Sequence, residues 1–303
     1  MIVVGGEALV DLVPQDSGDA LHGHPGGGPF NTARTIGRLE RPVAYLGRLS
    51  SDRFGERLHA LLADDRVELG SIVRTHDPTT LAIAEVDDDG VARYRFYERG
   101  TSAPGLTPEA AIAALPEEID VLHVGTLGLV LQPIADALEA VVERVADRTL
   151  IAVDPNIRPW VIEDPAAYRA RLRRVLSRSH VVKVSEEDLA WLEPGLPPLE
   201  GVRALLELGP TLGLLTRGPS GALVVTRTAE VAVPAPRAKV VDTIGAGDAF
   251  GGGFVAWWSE RGLRRDDLGT IDLAVEATEF ACLVAARTCS RPGASPPYRS
   301  EIG

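Results

Sequence analysis

The chemistry of this chain concentrates where a carboxylate sits among glycines. Gly245-Ala246-Gly247-Asp248 lies between the apolar run Val240-Val241 and a helical pattern over about Ala246–Ser259. Glycines let backbone N–H groups approach an anion with no side chain in between. A helix start adds its positive end at the same point, so the turn can hold a phosphate. An aspartate beside bound phosphate lowers affinity, which points to chemical work such as accepting or orienting a hydroxyl proton during phosphoryl transfer. A carboxylate in the first turn of a helix also has a plainer use, a favourable interaction with the helix dipole.

A second glycine cluster, Gly26-Gly27-Gly28-Pro29-Phe30-Asn31, precedes the helical stretch Thr32–Leu39. Asn31 can cap that helix. Its carboxamide can also donate to one group of a polyol and accept from another. Three consecutive glycines exceed what a cap needs and favour close approach of the backbone to a neutral ligand. Asp11, after the first predicted strand, is either a solvated loop residue or an acceptor for a sugar hydroxyl. The histidines at 22, 24, 59, 76, 123 and 180 show no metal-ligand spacing. His123, inside an apolar strand, reads as a satisfied core residue, and Trp257 and Trp258 read as core packing.

These residues need a frame. Short apolar runs at Ile2–Gly5, Val43–Gly47, Val121–Gly125, Leu150–Asp154, Val181–Val184, Leu212–Thr216 and Ala222–Thr226 predict strands. Amphipathic stretches at Ala135–Val145, Ala167–Leu176 and Val202–Leu208 alternate with them, and Leu273–Arg287 adds a last helix. Such alternation predicts a parallel sheet with helices on both faces. Leu81–Val86 and Val91–Tyr97 break the rhythm and read as a hairpin that projects from the sheet and can cover a pocket. Its turn, Asp87-Asp88-Asp89-Gly90, reads as solvated acids rather than a metal site. Repeats and low-complexity tracts are absent.

At 303 residues the chain can bury about three quarters of its unfolded surface without staples. Cys282 and Cys289 fall on one predicted helix about 10 Å apart, beyond disulfide reach, as in a reducing cytoplasm. The start carries Glu7 and Asp11 where a signal peptide has basic and then apolar residues. No apolar run reaches membrane-span length. A net charge of −12 argues against nucleic acid and anionic membranes as partners. It also requires local cationic help for any nucleotide, most simply Mg²⁺ with backbone N–H groups. Neither lysine, Lys183 or Lys239, follows a glycine, which excludes the P-loop.

Asp242-Thr243-Ile244-Gly245-Ala246-Gly247-Asp248 resembles the C-terminal signature of the ribokinase-like carbohydrate kinases, the phosphofructokinase B family. The likeness covers nearly the whole chain. Gly26 to Asn31 is similar to the family's glycine-rich sugar loop, and Gly47 to Gly55, with Asp52 between, to the stretch after it. Asp154-Pro155-Asn156-Ile157-Arg158 and Thr216-Arg217-Gly218-Pro219-Ser220-Gly221 follow in family order. The resemblance implies an α/β three-layer sandwich with a mostly parallel central sheet. It implies one domain over residues 1–303, with a β lid formed by about 12–24 and 76–102. It makes Asp248 the base and the Gly245, Ala246 and Gly247 amides an anion hole. It places sugar near Asp11, Gly27, Gly28, Asn31, Arg99 and Arg158, and nucleotide near Lys183, Ser185, Thr216, Gly218 and Gly221. By the same carry-over Asp188 serves Mg²⁺ and Asp242 serves K⁺. Where the family has Asn-x-x-Glu, this chain has Ser185-Glu186-Glu187-Asp188, and its lid exit at Phe96–Ala103 is one residue longer than the fructokinase pattern.

The function implied is ATP-dependent phosphorylation of a sugar hydroxymethyl group in the cytoplasm. Gly6-Glu7-Ala8-Leu9-Val10-Asp11-Leu12 is most similar to fructokinases. Ribokinase, 2-keto-3-deoxygluconate kinase and nucleoside kinase are the alternatives, and a homodimer through the lid edge at Leu81–Val86 is a further expectation. A non-enzymatic sugar sensor has no need of Asp248. A dinucleotide oxidoreductase built on Gly245-x-Gly247 requires a following strand with an acid about 20 residues on, whereas Asp266 and Asp267 precede another helix.

Overall fold

A computed structural model of the chain describes residues 1–14, 20–86 and 92–302, so the acidic turn at 87–90 lies outside the described residues. The larger sheet contains β1 (Ile2–Gly5), β4 (Val43–Ser50), β5 (Ile72–Thr75), β8 (Val121–Gly125), β9 (Leu150–Asp154), β10 (Val181–Ser185), β11 (Leu212–Thr216), β12 (Ala222–Val225) and β13 (Glu230–Val233). Their spatial order is β13-β12-β11-β10-β9-β8-β1-β4-β5. All neighbours pair in parallel except β11–β12 and β12–β13, so β12 alone runs against the other strands, next to the β13 edge.

Side chains alternate across this sheet as the period of a strand demands. Val3, Leu122, Val124, Ile151, Val153, Val182 and Val184 face one core, whereas Ile2, Val4, Val121, Leu150, Ala152 and Val181 face the other. The helices are α1 (Gly28–Arg38), α2 (Arg53–Asp64), α3 (Pro108–Ala113), α4 (Ile134–Val145), α5 (Pro165–Leu176), α6 (Glu186–Leu192), α7 (Pro198–Leu206), α8 (Ala246–Glu260) and α9 (Ile271–Cys289). Residues of α4 to α7 pack on the first face, and residues of α1, α2, α8 and α9 on the second. Trp257 and Trp258 are buried in the second core as expected.

The hairpin stands apart from the central sheet as expected, within a second, smaller sheet. β6 (Leu81–Val86) and β7 (Ala92–Tyr97) join β2 (Leu9–Pro14) and β3 (Leu21–Gly26) in a four-stranded sheet ordered β3-β2-β6-β7. β6 lies between β2 and β7, so the Leu81–Val86 edge expected for pairing between subunits is already filled. β3, β5 and β13 escape the sequence pattern because they are short or half exposed and, in β3, built from Leu-His-Gly-His-Pro-Gly.

α1 and α8 cross closely where α8 has glycines. A Cβ at Gly252 would lie 2.8 Å from Thr35 Cβ and 3.1 Å from Thr32 O. Gly252→Val should therefore cost about 1–3 kcal/mol through overpacking, read as a lower urea midpoint. An unchanged midpoint would show that the two helices can part freely.

Candidate active site

The parallel strands end together. Gly125 pairs with Asp154 and Ser185 with Thr216, placing these residues along the carboxyl edge of the sheet where open α/β sheets bind ligands. Above that edge a cavity of about 340 Å³ opens between the two sheets. Its lining is mixed, with Glu7, Asp11, Asn31, Arg158 and Asp248 polar or charged and Leu9, Phe96, Leu127 and Trp160 apolar. The Thr243–Gly247 turn lines it too, and so do Gly27 and Gly28.

The glycine loop fits only without side chains. Gly27 has φ 106, and its Cβ would meet Glu7 O at 2.5 Å. A Cβ at Gly28 would lie 2.5 Å from Thr126 Cγ2 and 3.2 Å from Asp248 Oδ1. α1 starts at Gly28 with no side-chain cap, which places Asn31 inside its first turn. Asn31 is therefore not a cap. Its Nδ2 donates to Asp248 Oδ2 at 2.9 Å, and its buried Oδ1 has no hydrogen-bond partner. Gly245 is the left-handed residue before α8, at φ 76, and Asp248 is buried in that helix's first turn.

Glu7 is not among the expected site residues, although with Asp11 it is one of two acids in an apolar opening. It accepts from Gly28 N at 3.2 Å, Gly128 N at 2.9 Å and the Thr126 hydroxyl. It thereby ties the glycine loop to the turn after β8. Thr126 and Asn156 line the same cavity and have positive φ, 51 and 39, without being glycine. Such backbone strain gathers at functional sites.

Burial pushes Glu7 up to about 7, against the hydrogen bonds that favour its charge. Burial and the neighbouring Asp248 charge push Asp11 up to about 6, while Arg158 opposes them. Burial also pushes Asp248 up to about 6. The Asn31 hydrogen bond opposes that rise, Asp154 adds to it, and Lys183 and Arg158 counter it.

Several expected residues take other positions. Arg99 is 86% exposed, pairs with Glu163 at 3.1 Å, and borders a separate cavity, so it is not a sugar contact in this arrangement. Lys183 is buried rather than open to a nucleotide. Its Nζ donates to Asp154 Oδ2 at 2.7 Å and would lie 3.2 Å from a Cβ on Gly247, so it supports the turn from beneath. Asp154 Oδ1 is buried and unpartnered. Ser185 and Asp188 form a capping box on α6, and Asp188 also accepts from Ile157 N at 2.7 Å. The shortened motif has closed on itself. Asp242 accepts from Ile244 N at 3.0 Å and Gly293 N at 2.8 Å, which makes it a brace of the turn. Thr216 donates to Val184 O, and Gly218 and Gly221 shape the turn after β11 with positive φ, outside the lining of the 340 Å³ cavity. His123 is buried as expected but not satisfied. Its Nδ1 has no partner, and burial, helped by Lys183, pushes it down to about 3. No group of three or more His, Cys, Asp or Glu able to hold a metal occurs among the described residues.

Comparison with known proteins gives this geometry a context. The model of the pfkB family carbohydrate kinases matches residues 1–301. A fructokinase of Rhizobium leguminosarum bv. trifolii is 37% identical over 261 residues, 84% of this chain and 79% of the relative. The fructokinase of Xylella fastidiosa with bound ATP superposes with a TM-score of 0.90 at 28% identity, covering 99% of this chain and 96% of that one. The Vibrio cholerae O395 fructokinase in its fructose, ADP and calcium ion bound form gives 0.87 at 27% identity, covering 99% and 97%.

Glu7, Asp11 and Asp248 have folded values above their ordinary 4.5, 3.8 and 3.8. Their contribution to stability is therefore full below those ordinary values and is lost as pH rises through about 6 and then about 7. The melting temperature of the ligand-free protein should fall between about pH 4 and about pH 7, the buried neutral His123 offsetting part of the fall below about 6.5, and Glu7→Gln should flatten the upper part. A melting temperature that climbs across this interval would contradict the assignment.

Proposed function

The chain belongs to the pfkB family of carbohydrate kinases, and we propose that its acceptor is fructose, phosphorylated on a hydroxymethyl oxygen by ATP. The observation that carries phosphoryl transfer is the 2.9 Å hydrogen bond from Asn31 to Asp248 in a cavity also lined by the Gly245 and Gly247 turn, and the fructokinases among its relatives favour fructose. Asp248 accepts the hydroxyl proton as the oxygen attacks the γ-phosphorus. The Gly245 and Gly247 amides hold the charge that develops on the transferred group, and the Ala246 amide, which donates to Thr243 O at 3.2 Å, closes the turn. Asn31 fixes Asp248 through Nδ2, and its open Oδ1 takes a hydroxyl from the acceptor. Asp11 and Arg158 serve as further polar contacts.

A value raised toward neutrality makes Asp248 a stronger base while leaving it largely ionised at neutral pH. Cationic support comes from Arg158 at the cavity wall and from Lys183 below the turn. Mg²⁺ would neutralise the nucleotide phosphates. Asp188 already accepts from three donors, which leaves it able to serve that ion through water, and Asp154 Oδ1 is the open acceptor nearby. K⁺ would join the Asp242 brace by fixing the turn through oxygens. The nucleotide extends past Ser185 toward Thr216, Gly218 and Gly221.

The four-stranded sheet is the lid of a single domain over residues 1–303, closing over sugar to exclude water. A homodimer through this sheet would use the β3 or β7 edge, since β6 is internal. A cytoplasmic enzyme with neither nucleic acid nor membrane as partner suits the charge of −12.

ADP release across a panel of fructose, ribose, 2-keto-3-deoxygluconate and nucleosides tests the acceptor, with fructose expected to give the highest kcat/KM. Asp248→Asn should lower turnover by about 10²–10⁴-fold while leaving ATP binding intact. Near-parental turnover in that variant would remove Asp248 from the role of base. Hydrogen exchange should show new protection at 81–86 and 92–97 on adding fructose, and exchange indifferent to the sugar would refute the lid.

A further inference from the structure

The turn that carries the glycines is held from outside as well as from beneath. Gly245 has no room for a side chain because a Cβ there would lie 2.7 Å from Ala294 Cβ and 3.0 Å from Ala294 Cα. The segment Gly293–Pro296 therefore lies directly against the start of α8. Gly293 N also donates to Asp242 Oδ2, whose other oxygen braces Ile244.

That segment is in turn gripped by α1. Arg34 reaches Ala294 O at 3.4 Å, and Arg38 donates to Pro296 O at 2.6 Å and to Ser295 Oγ at 3.4 Å. Both guanidinium groups are anchored on one buried carboxylate. Arg34 Nε donates to Asp65 Oδ2 at 2.6 Å and Arg38 Nε to Asp65 Oδ1 at 2.7 Å, with the Asp65 side chain 2% exposed. Arg38 also lies over the Tyr298 ring, 4.6 Å from its centroid. Asn31, Arg34 and Arg38 are spaced i, i+3, i+7, so they share a face of α1. One end of that face meets Asp248, and the rest holds the segment that packs on Gly245.

We propose that Arg34, Asp65 and Arg38 are positioning residues that set the glycine turn through the segment 293–296, so that α1 aligns the acceptor side of the site with the phosphoryl side. The proposal rests on the reading that the Gly245 and Gly247 amides hold the transferring group. A bidentate or forked arginine fixes direction as well as distance, which an ammonium does not. A displacement of the turn by a fraction of its width misaims amides that must meet charge only as it develops, so the loss falls on turnover rather than on acceptor binding.

The test uses Arg38→Met in the full-length chain, assayed well below its melting temperature. Turnover at saturating fructose and ATP should fall about 10-fold to 100-fold, with the fructose KM within about twofold of the parent. Amide exchange at Thr243–Gly247 should quicken about tenfold in the same variant, without added sugar. Arg38→Lys, which keeps the charge and loses the fork, serves if the methionine variant does not fold and should show a smaller change in the same direction. Parental turnover, or reduced turnover with parental exchange at the turn, overturns the proposal, because a cluster that only stabilises the fold lowers the melting temperature and leaves both readings alone. If the parent itself turns over no sugar, the kinase reading fails separately, and the exchange measurement still decides whether the cluster holds the turn.

Discussion

The hydrogen bond between Asn31 and Asp248 joins residues 217 apart in sequence, and much of the architecture exists to let it form. It requires the first turns of α1 and α8 to meet, and helices approach that closely only where side chains are missing. Gly252 supplies the gap between the helix bodies, and Gly28 supplies it between the glycine loop and Asp248 itself. The sheet then sets the height of both helices. β1 and β8 are adjacent in parallel, so the loop after β1, which carries Glu7, stands beside the turn after β8 that holds Thr126 and Gly128.

A second constraint is electrostatic. Three carboxyl groups converge on one partly enclosed space in a chain of charge −12, and each is held above its ordinary range chiefly by burial. Left alone, such a cluster repels a nucleotide. The protein answers with backbone N–H groups and few cations, neither of them a flexible surface lysine. Arg158 is tied to its own loop through Asn156 O, Asn156 Oδ1 and Ile157 O, and Lys183 is locked to Asp154. Charges fixed in this way need no rearrangement at the moment of reaction, which is where preorganised dipoles act most strongly.

The frame and the two glycine clusters were legible because they follow local rules. Buried parallel strands read as apolar runs, and glycine before a helix marks a close approach of backbone. What escaped depended on distant partners. Glu7 looks ordinary until Thr126 and Gly128 are brought to it, and Arg99 pairs with Glu163, a residue distant in sequence that no local pattern announces. Ser185 and Asp188 stand where the family's metal-organising motif falls, and only the fold shows that they also cap α6 and hold Ile157 N. The edge strands β5 and β13 were invisible because a half-exposed strand of four residues carries little pattern.

The cavity's mixed lining has a stereochemical consequence. Glu7, Asp11, Asn31, Arg158 and Asp248 share it with Leu9, Leu127, Phe96 and Trp160. A guest of matching constitution but inverted at one carbon carries a hydroxyl away from the partner it would otherwise meet. That misplaced hydroxyl costs about 1–3 kcal/mol if it is buried unpaired, a penalty of roughly 5-fold to 150-fold by the usual conversion of energy to equilibrium. Such a lining therefore separates epimers through the hydrogen bonds it withholds as much as through those it makes.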